Sequence, residues 1–142
     1  MEKITFTNHS IKSFRFNKEL IKSCLPLIFL EEDVSFMELA YVFCSDEYLL
    51  SLNREFLDHD TLTDILTFTM SDSPLPIVSE IYISVERVKE NAMDLGIEFL
   101  DELYRVMIHG VLHLCGYSDH TPELKKLMTG KEDYYLKRLC ST

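Results

Sequence analysis

The sequence has little of what marks secreted, membrane-spanning or zinc-ribbon proteins. Its 142 residues include no Trp, four Gly, four Pro and four Cys. The cysteines lie far apart without a CxxC pair, so we expect neither a disulfide framework nor a zinc ribbon. The longest apolar run, residues 24–30, is too short to span a membrane, and the N-terminal residues lack the apolar core of a signal peptide. These absences predict a protein of the reducing cytoplasm that does not associate with membranes.

Positive charge is also scarce. The chain has 14 Lys and Arg against 24 Asp and Glu, a net charge of −10. Residues 31–102 carry −15, whereas residues 1–30 carry +3 and residues 103–142 carry +2. This balance argues against non-specific binding to nucleic acid and favours a solvated acidic surface. The alternative is a basic groove formed by the two ends of the chain.

The length and the 46% hydrophobic content predict one domain over residues 1–142. Hydrophobic spacing and capping residues predict the element order βαβαββααα, which is typical of an α+β domain with a small mixed sheet. The apolar helix near 98–115 should be central, and the last helix should cover the sheet. The predicted strands lie near 4–7, 34–44, 65–70 and 78–85, and the predicted helices near 17–30, 46–56, 85–96, 98–115 and 122–139.

The segment HGVLHLCGYSDH, residues 109–120, indicates a metal site. His109 and His113 are one helical turn apart, so both imidazoles can point at one position in space. Gly116 can end the helix and let the chain bring Asp119 or His120 to the same position. Three protein ligands with a fourth position for water are typical of catalytic zinc sites. The competing interpretation is two ordinary polar residues on a helix, but unpaired imidazoles on so apolar a helix would be costly.

Gly110 follows the first histidine, where metalloproteases of the HExxH type have the glutamate that activates water. Glycine can do no proton chemistry, which argues against peptidase activity, and any general base must come from elsewhere. Asp64 and Glu80 are the candidates. For each, the alternative is a loop cap or a surface carboxylate without a catalytic role.

Three segments resemble the YbeY endoribonuclease family. HGVLHLCGYSDH is similar to the family signature HGxLHLxGYDH, and LNREFLDHDTLTDILTF and EIYIS are similar to two further stretches, so the resemblance covers about residues 50–135. It implies a zincin-like fold and one zinc ion on three ligands. It also implies hydrolysis of single-stranded RNA in small-subunit rRNA maturation and ribosome quality control, with the small subunit or its assembly factors as partners.

The chain departs from the family pattern in three places. GYSDH has one residue more than GYDH: Asp119 keeps the usual offset from His113, whereas His120 keeps the usual residue type. Either could be the third ligand, and the preserved register favours Asp119. Leu57 stands where the family has an arginine associated with RNA cleavage, and Ser79-Glu80 replaces a Gly-Asp pair.

Basic residues could supply the missing contact to phosphate. Arg105 lies one turn before His109 and could hold a scissile phosphate, or it could pair with Asp101 on the same helix. If the basic ends of the chain form a groove, the lysine pairs 18/22 and 125/126 would contact the RNA backbone. Two other functions compete with RNA cleavage: hydrolysis of another phosphoester or small substrate, and a non-catalytic ribosome-associated binding module.

Overall fold

The computed structural model describes residues 2–57, 63–71 and 74–138. Residues 58–62 of the predicted polar loop, Cys140 and the predicted helix end at Leu139 lie outside this described part. The observed element order is βαβαββααα, as predicted. The elements are β1 (Lys3–Asn8), α1 (Lys18–Glu31), β2 (Phe36–Cys44), α2 (Asp46–Leu57), β3 (Ile65–Ser71), β4 (Ile77–Ser84), α3 (Val85–Leu95), α4 (Phe99–Leu114) and α5 (Pro122–Arg138).

Local signals set the helix boundaries. The side chains of Asn17, Ser45 and Ser84 each accept a hydrogen bond from the backbone N–H three residues on, at 3.0–3.1 Å, and so cap α1, α2 and α3. Gly96 ends α3 in the left-handed conformation, with a φ of 68°. Because these residues act through their nearest neighbours, the sequence alone predicts where α1, α2 and α3 begin and where α3 ends.

The four strands form one mixed sheet in the order β1-β2-β4-β3. β1 and β4 each pair in parallel with β2, and β3 and β4 form the predicted antiparallel hairpin. The α+β class with a small mixed sheet is therefore confirmed. None of the helices in the described ranges is long and apolar enough to cross a membrane.

Helix α4 lies at the centre of the molecule, as its apolar circumference predicts. It contacts β3 and β4 of the sheet and also α1, α3 and α5. A Cβ atom on Gly110 would lie 2.9 Å from Ile65 Cδ1, so glycine allows α4 to approach the sheet closely there. The hydroxyl of Tyr41 on β2 donates to the Met107 carbonyl of α4 at 3.0 Å. These contacts fix the helix that carries both histidines.

The last helix does not lie where the sequence predicts. α5 packs mainly on α4 rather than directly on the sheet. It buries Met128, Glu132 and Tyr135, which recur at helical spacing on one face. This placement brings an acidic side chain of α5 against the predicted metal-binding segment of α4.

Candidate metal centre

His109 and His113 point towards one another from successive turns of α4, with ring centroids 4.6 Å apart. After α4 ends, Gly116 takes a φ of 103°, and the chain turns back to bring Asp119 to the two rings. Asp119 Oδ2 lies 3.5 Å from His109 Nε2 and 3.8 Å from His113 Nε2. One nitrogen or oxygen atom from each of the three residues lies within 4.8 Å of the other two. The sequence motif thus folds into a compact His-His-Asp group.

The other nitrogen of each imidazole is held by the protein. His113 Nδ1 donates to the Tyr117 carbonyl at 3.1 Å, and His109 Nδ1 donates to Glu132 Oε2 at 2.5 Å. A proton on Nδ1 leaves the Nε2 lone pair available, which is the tautomer that a metal ligand needs. Both lone pairs belong to the nitrogen atoms nearest to Asp119.

Glu132 is a residue of the site that the sequence motif does not indicate. Glu132 is only 6% exposed. Its carboxylate accepts a hydrogen bond from His109 and another from Arg105 Nη1, the latter at 3.0 Å. The helical spacing of Met128, Glu132 and Tyr135 could have indicated it, because it places Glu132 on the buried face of α5. An acid at such a position needs a buried partner.

Burial and charge shift the two histidines in opposite directions. Burial lowers the pKa of His109, but the hydrogen bond and negative charge of Glu132 outweigh it and raise that pKa above its usual value. Burial and the positive charge of His109 lower the pKa of His113. The two imidazoles are therefore electrostatically distinct although they lie side by side.

Two cavities adjoin the group on different sides. The His109 cavity, of about 260 Å³, is lined by residues of α4 and α5 together with Asp64 and Asp119. The His113 cavity, of about 550 Å³, is lined by β3 together with Leu57, His113 and His120. Among the described residues His120 is not part of the His-His-Asp group, whereas Asp119 is. The residue that keeps the register from His113 is thus the one that joins the group.

The two candidate bases lie in different places. Asp64 lines the His109 cavity and accepts a hydrogen bond from Asn91 Nδ2 at 3.3 Å. Burial raises its pKa, although the positive charge of His109 opposes the shift.

Glu80 is not brought to the histidines. Its neighbour Ile81 packs towards Gly110 on α4, so Glu80 lies on the opposite face of the sheet. There it accepts a hydrogen bond from Tyr82 at 3.2 Å and lines a cavity with Leu52 and Phe56. The structure therefore gives no support to Glu80 as a base at the metal centre.

Arg105 lines the His109 cavity, but its charge is already paired. Its guanidinium contacts Glu132 at 3.0 Å and Asp133 at 2.6 Å, both on α5. The alternative partner on its own helix, Asp101, is not the one that the structure shows. One of these contacts links Arg105 through Glu132 to His109.

Two adjacent lysines of α5, Lys125 and Lys126, lie beside different cavities. Lys125 lines the His109 cavity, whereas Lys126 lines a different cleft between α1 and α5. Their adjacency in the sequence predicts a single basic surface, and the structure does not bear this out. On a helix, however, consecutive side chains leave the axis about 100° apart.

The donor set fits a divalent transition metal. Two imidazole nitrogens and one carboxylate oxygen are common zinc ligands, at bond lengths of about 2.0–2.2 Å. Tetrahedral bonds of this length separate neighbouring ligand atoms by about 3.4 Å, close to the 3.5 and 3.8 Å between Asp119 and the two histidines. Small side-chain adjustments would complete the geometry. His109, His113 and Asp119 can therefore hold a metal ion.

The fold and the site define a class, a small α+β protein with a His-His-Asp group suited to a metal ion at the end of its central helix. Comparison with known proteins gives the family. The family model described as Endoribonuclease YbeY matches residues 3–140, and the chain belongs to this family. Its members are named as endoribonucleases, enzymes that hydrolyse RNA phosphodiester bonds.

Individual relatives agree. The chain is 50% identical over 113 residues to the Endoribonuclease YbeY of Cytophaga hutchinsonii, covering 80% of this chain and 79% of that one. It is 35% identical over all 142 residues to the same enzyme of Porphyromonas gingivalis, covering 93% of it. The solution structure of a Thermotoga maritima protein superposes with a TM-score of 0.65 and 28% identity, covering 96% of this chain and 88% of that one. The family predicted from the motifs is confirmed.

Proposed function

We propose that this protein is a zinc-dependent endoribonuclease that cleaves single-stranded RNA at the end of α4. The observation that carries the proposal is the His-His-Asp group, in which both histidines are fixed with Nε2 free to bind. His109, His113 and Asp119 are the proposed ligands. Zinc is favoured because two imidazoles suit it better than they suit magnesium or calcium, which prefer oxygen ligands.

A bound zinc ion would act as a Lewis acid on a phosphoryl oxygen and lower the pKa of a water molecule. The residues of the chain have separate tasks. Glu132 keeps His109 in the tautomer that binds through Nε2, and Arg105 holds Glu132 in place. Asp64 is the proposed proton acceptor, since its carboxylate lines the cavity that His109 and Asp119 also line.

His120 has a different proposed task. It lines the His113 cavity together with Leu57, so a nucleotide bound beside His113 would meet this imidazole. A histidine there can donate a hydrogen bond to a phosphate or to a leaving oxygen. It lies next to the ligand group without belonging to it.

The proposed substrate is precursor RNA of the small ribosomal subunit, with the subunit or its assembly factors as partners. Membership of the family supports RNA as the substrate class. The proposed compartment is the cytoplasm. Within the described residues Cys24, Cys44 and Cys115 form no disulfide, and burial raises the pKa of Cys44 and of Cys115 to about 12, which favours their protonated form.

The test combines metal analysis with cleavage. The purified protein should contain about one zinc ion per chain and cleave a single-stranded oligoribonucleotide while sparing the same sequence in a duplex. Removal of metal with a chelator should abolish cleavage, and added zinc should restore it. His113→Ala should lose both metal and activity. Full cleavage by metal-free protein or by His113→Ala would refute the proposal.

A further inference from the structure

Four of the nine residues that line the His109 cavity are acidic. Asp64, Glu102, Asp119 and Glu132 all line it. Glu102 is 5% exposed, and its Oε1 atom has no hydrogen-bond partner within the described ranges. Burial raises the pKa of Glu102, and the nearby Asp64 raises it further. A phosphodiester that enters this cavity meets carboxylates that repel it, so its binding needs positive charge at the same place.

Besides the proposed ligand His109, Arg105 and Lys125 are the basic side chains among the described residues that line the cavity, and they are not equivalent. The guanidinium of Arg105 is paired with Glu132 and Asp133, so two carboxylates already neutralise it. Lys125 is exposed, and among residues 2–57, 63–71 and 74–138 its ammonium group makes no ion pair or hydrogen bond. Of these two side chains, Lys125 is therefore the one whose charge an incoming phosphate can use, in addition to the charge of the proposed metal ion.

The position of Lys125 is fixed by the same turn that places Asp119. The chain runs from Asp119 directly into α5, where the Lys125 amide donates to the Thr121 carbonyl at 2.8 Å in the first helical turn. Lys126, one residue further, lines the cleft against α1 instead. Helix geometry therefore directs one lysine to the metal centre and the next one away from it.

We propose that Lys125 contacts a phosphate of the RNA strand bound at the His109 side of the metal centre. This inference rests on the proposed function, since it places the phosphodiester at the His-His-Asp group. The contact is an ammonium-to-phosphate hydrogen bond, which carries charge but no base specificity. Lys125 thus supplies positive charge that Arg105 cannot supply.

The experiment compares three variants: Lys125→Gln, Lys125→Arg and the matched control Lys126→Gln, which loses the same charge from the same helical turn. Binding is measured by fluorescence anisotropy with a non-cleavable 2′-O-methyl oligoribonucleotide at several salt concentrations. One lost phosphate contact should make the slope of log K against log salt shallower by about 0.7. We expect this change in Lys125→Gln, no change in Lys126→Gln, and the wild-type slope in Lys125→Arg.

Cleavage provides a second readout. A lost charge-assisted contact should lower kcat/KM of Lys125→Gln about ten- to hundredfold, with zinc content unchanged. Equal slopes and equal kcat/KM for Lys125→Gln and Lys126→Gln would overturn the inference, as would loss of zinc from Lys125→Gln. If wild type fails to cleave RNA while the slopes differ as expected, the proposed function fails and the phosphate contact stands.

Discussion

Glu132→Gln should weaken metal binding although Glu132 is not a proposed ligand. The carboxylate accepts from His109 Nδ1 at 2.5 Å and from Arg105 Nη1 at 3.0 Å, one oxygen for each donor. A glutamine has one oxygen and one NH₂ group, so it can accept from only one of them. Whichever way it turns, its NH₂ group faces a donor. If that donor is His109, the imidazole must change tautomer and loses the free Nε2 lone pair.

The magnitude follows from comparable sites. Removing a carboxylate that holds a metal-binding histidine typically costs ten- to a hundredfold in affinity, or about 1.4–2.7 kcal/mol. The free energy of unfolding should also fall, by about 1–2 kcal/mol. The loss is no larger because Arg105 keeps its contact with Asp133 and its side chain is 28% exposed. The affinity is measured by zinc competition with a chromophoric chelator, and the stability of the metal-free protein by urea unfolding.

Asp133→Asn is the matched control. It also removes a carboxylate from Arg105, but its side chain is 60% exposed. Asp133 pairs with Arg105 rather than with His109. Zinc affinity should therefore stay within about twofold of wild type, because a lost surface ion pair costs little. Equal zinc affinity in Glu132→Gln and Asp133→Asn would refute the role assigned to Glu132.

Two further predictions concern the scaffold. Burial raises the pKa of Glu32, but hydrogen bonds from Tyr135 and Tyr117 and the charge of Lys131 outweigh this and hold it below 4.5. The ionised acid is therefore favoured by folding: Glu32→Gln should be less stable than wild type at pH 7, and the gap should close as pH falls below about 4.5. A gap that is as large at pH 3 as at pH 7 in urea unfolding would contradict this. Gly110→Leu should lose about 1–3 kcal/mol, and Gly110→Ala less, because only the flexible end of Ile65 must move and alanine favours the helix. Equal stability of the two variants would show that α4 does not pack closely there.

Much of the fold can be predicted because its signals are local. Asn17, Ser84 and Gly96 determine helix ends through hydrogen bonds or dihedral angles within a few residues. The spacing of His109 and His113 likewise predicts a shared site within one helix. The order of the elements and the mixed sheet follow from these assignments and the hydrophobic pattern.

The parts that could not be predicted depend on contacts between distant elements. Glu132 lies 23 residues from His109, and only the packing of α5 on α4 brings them together. The same packing gives Arg105 its partners Glu132 and Asp133 on α5. The sequence alone suggests Asp101, one turn away on the same helix as Arg105. The face of the sheet on which Glu80 lies depends on strand register, which the motif does not encode.

The assignment of His109, His113 and Asp119 as the metal ligands is best tested by comparing Asp119 with its neighbour His120. Both residues follow the same turn, but Asp119 alone of the two joins His109 and His113 in the described structure. Zinc titration of Asp119→Ala and His120→Ala, with wild type in parallel, separates them. Asp119→Ala should lose most of its zinc affinity, whereas His120→Ala should bind zinc as wild type does. Retention of zinc by Asp119→Ala together with its loss from His120→Ala would contradict the assigned metal centre.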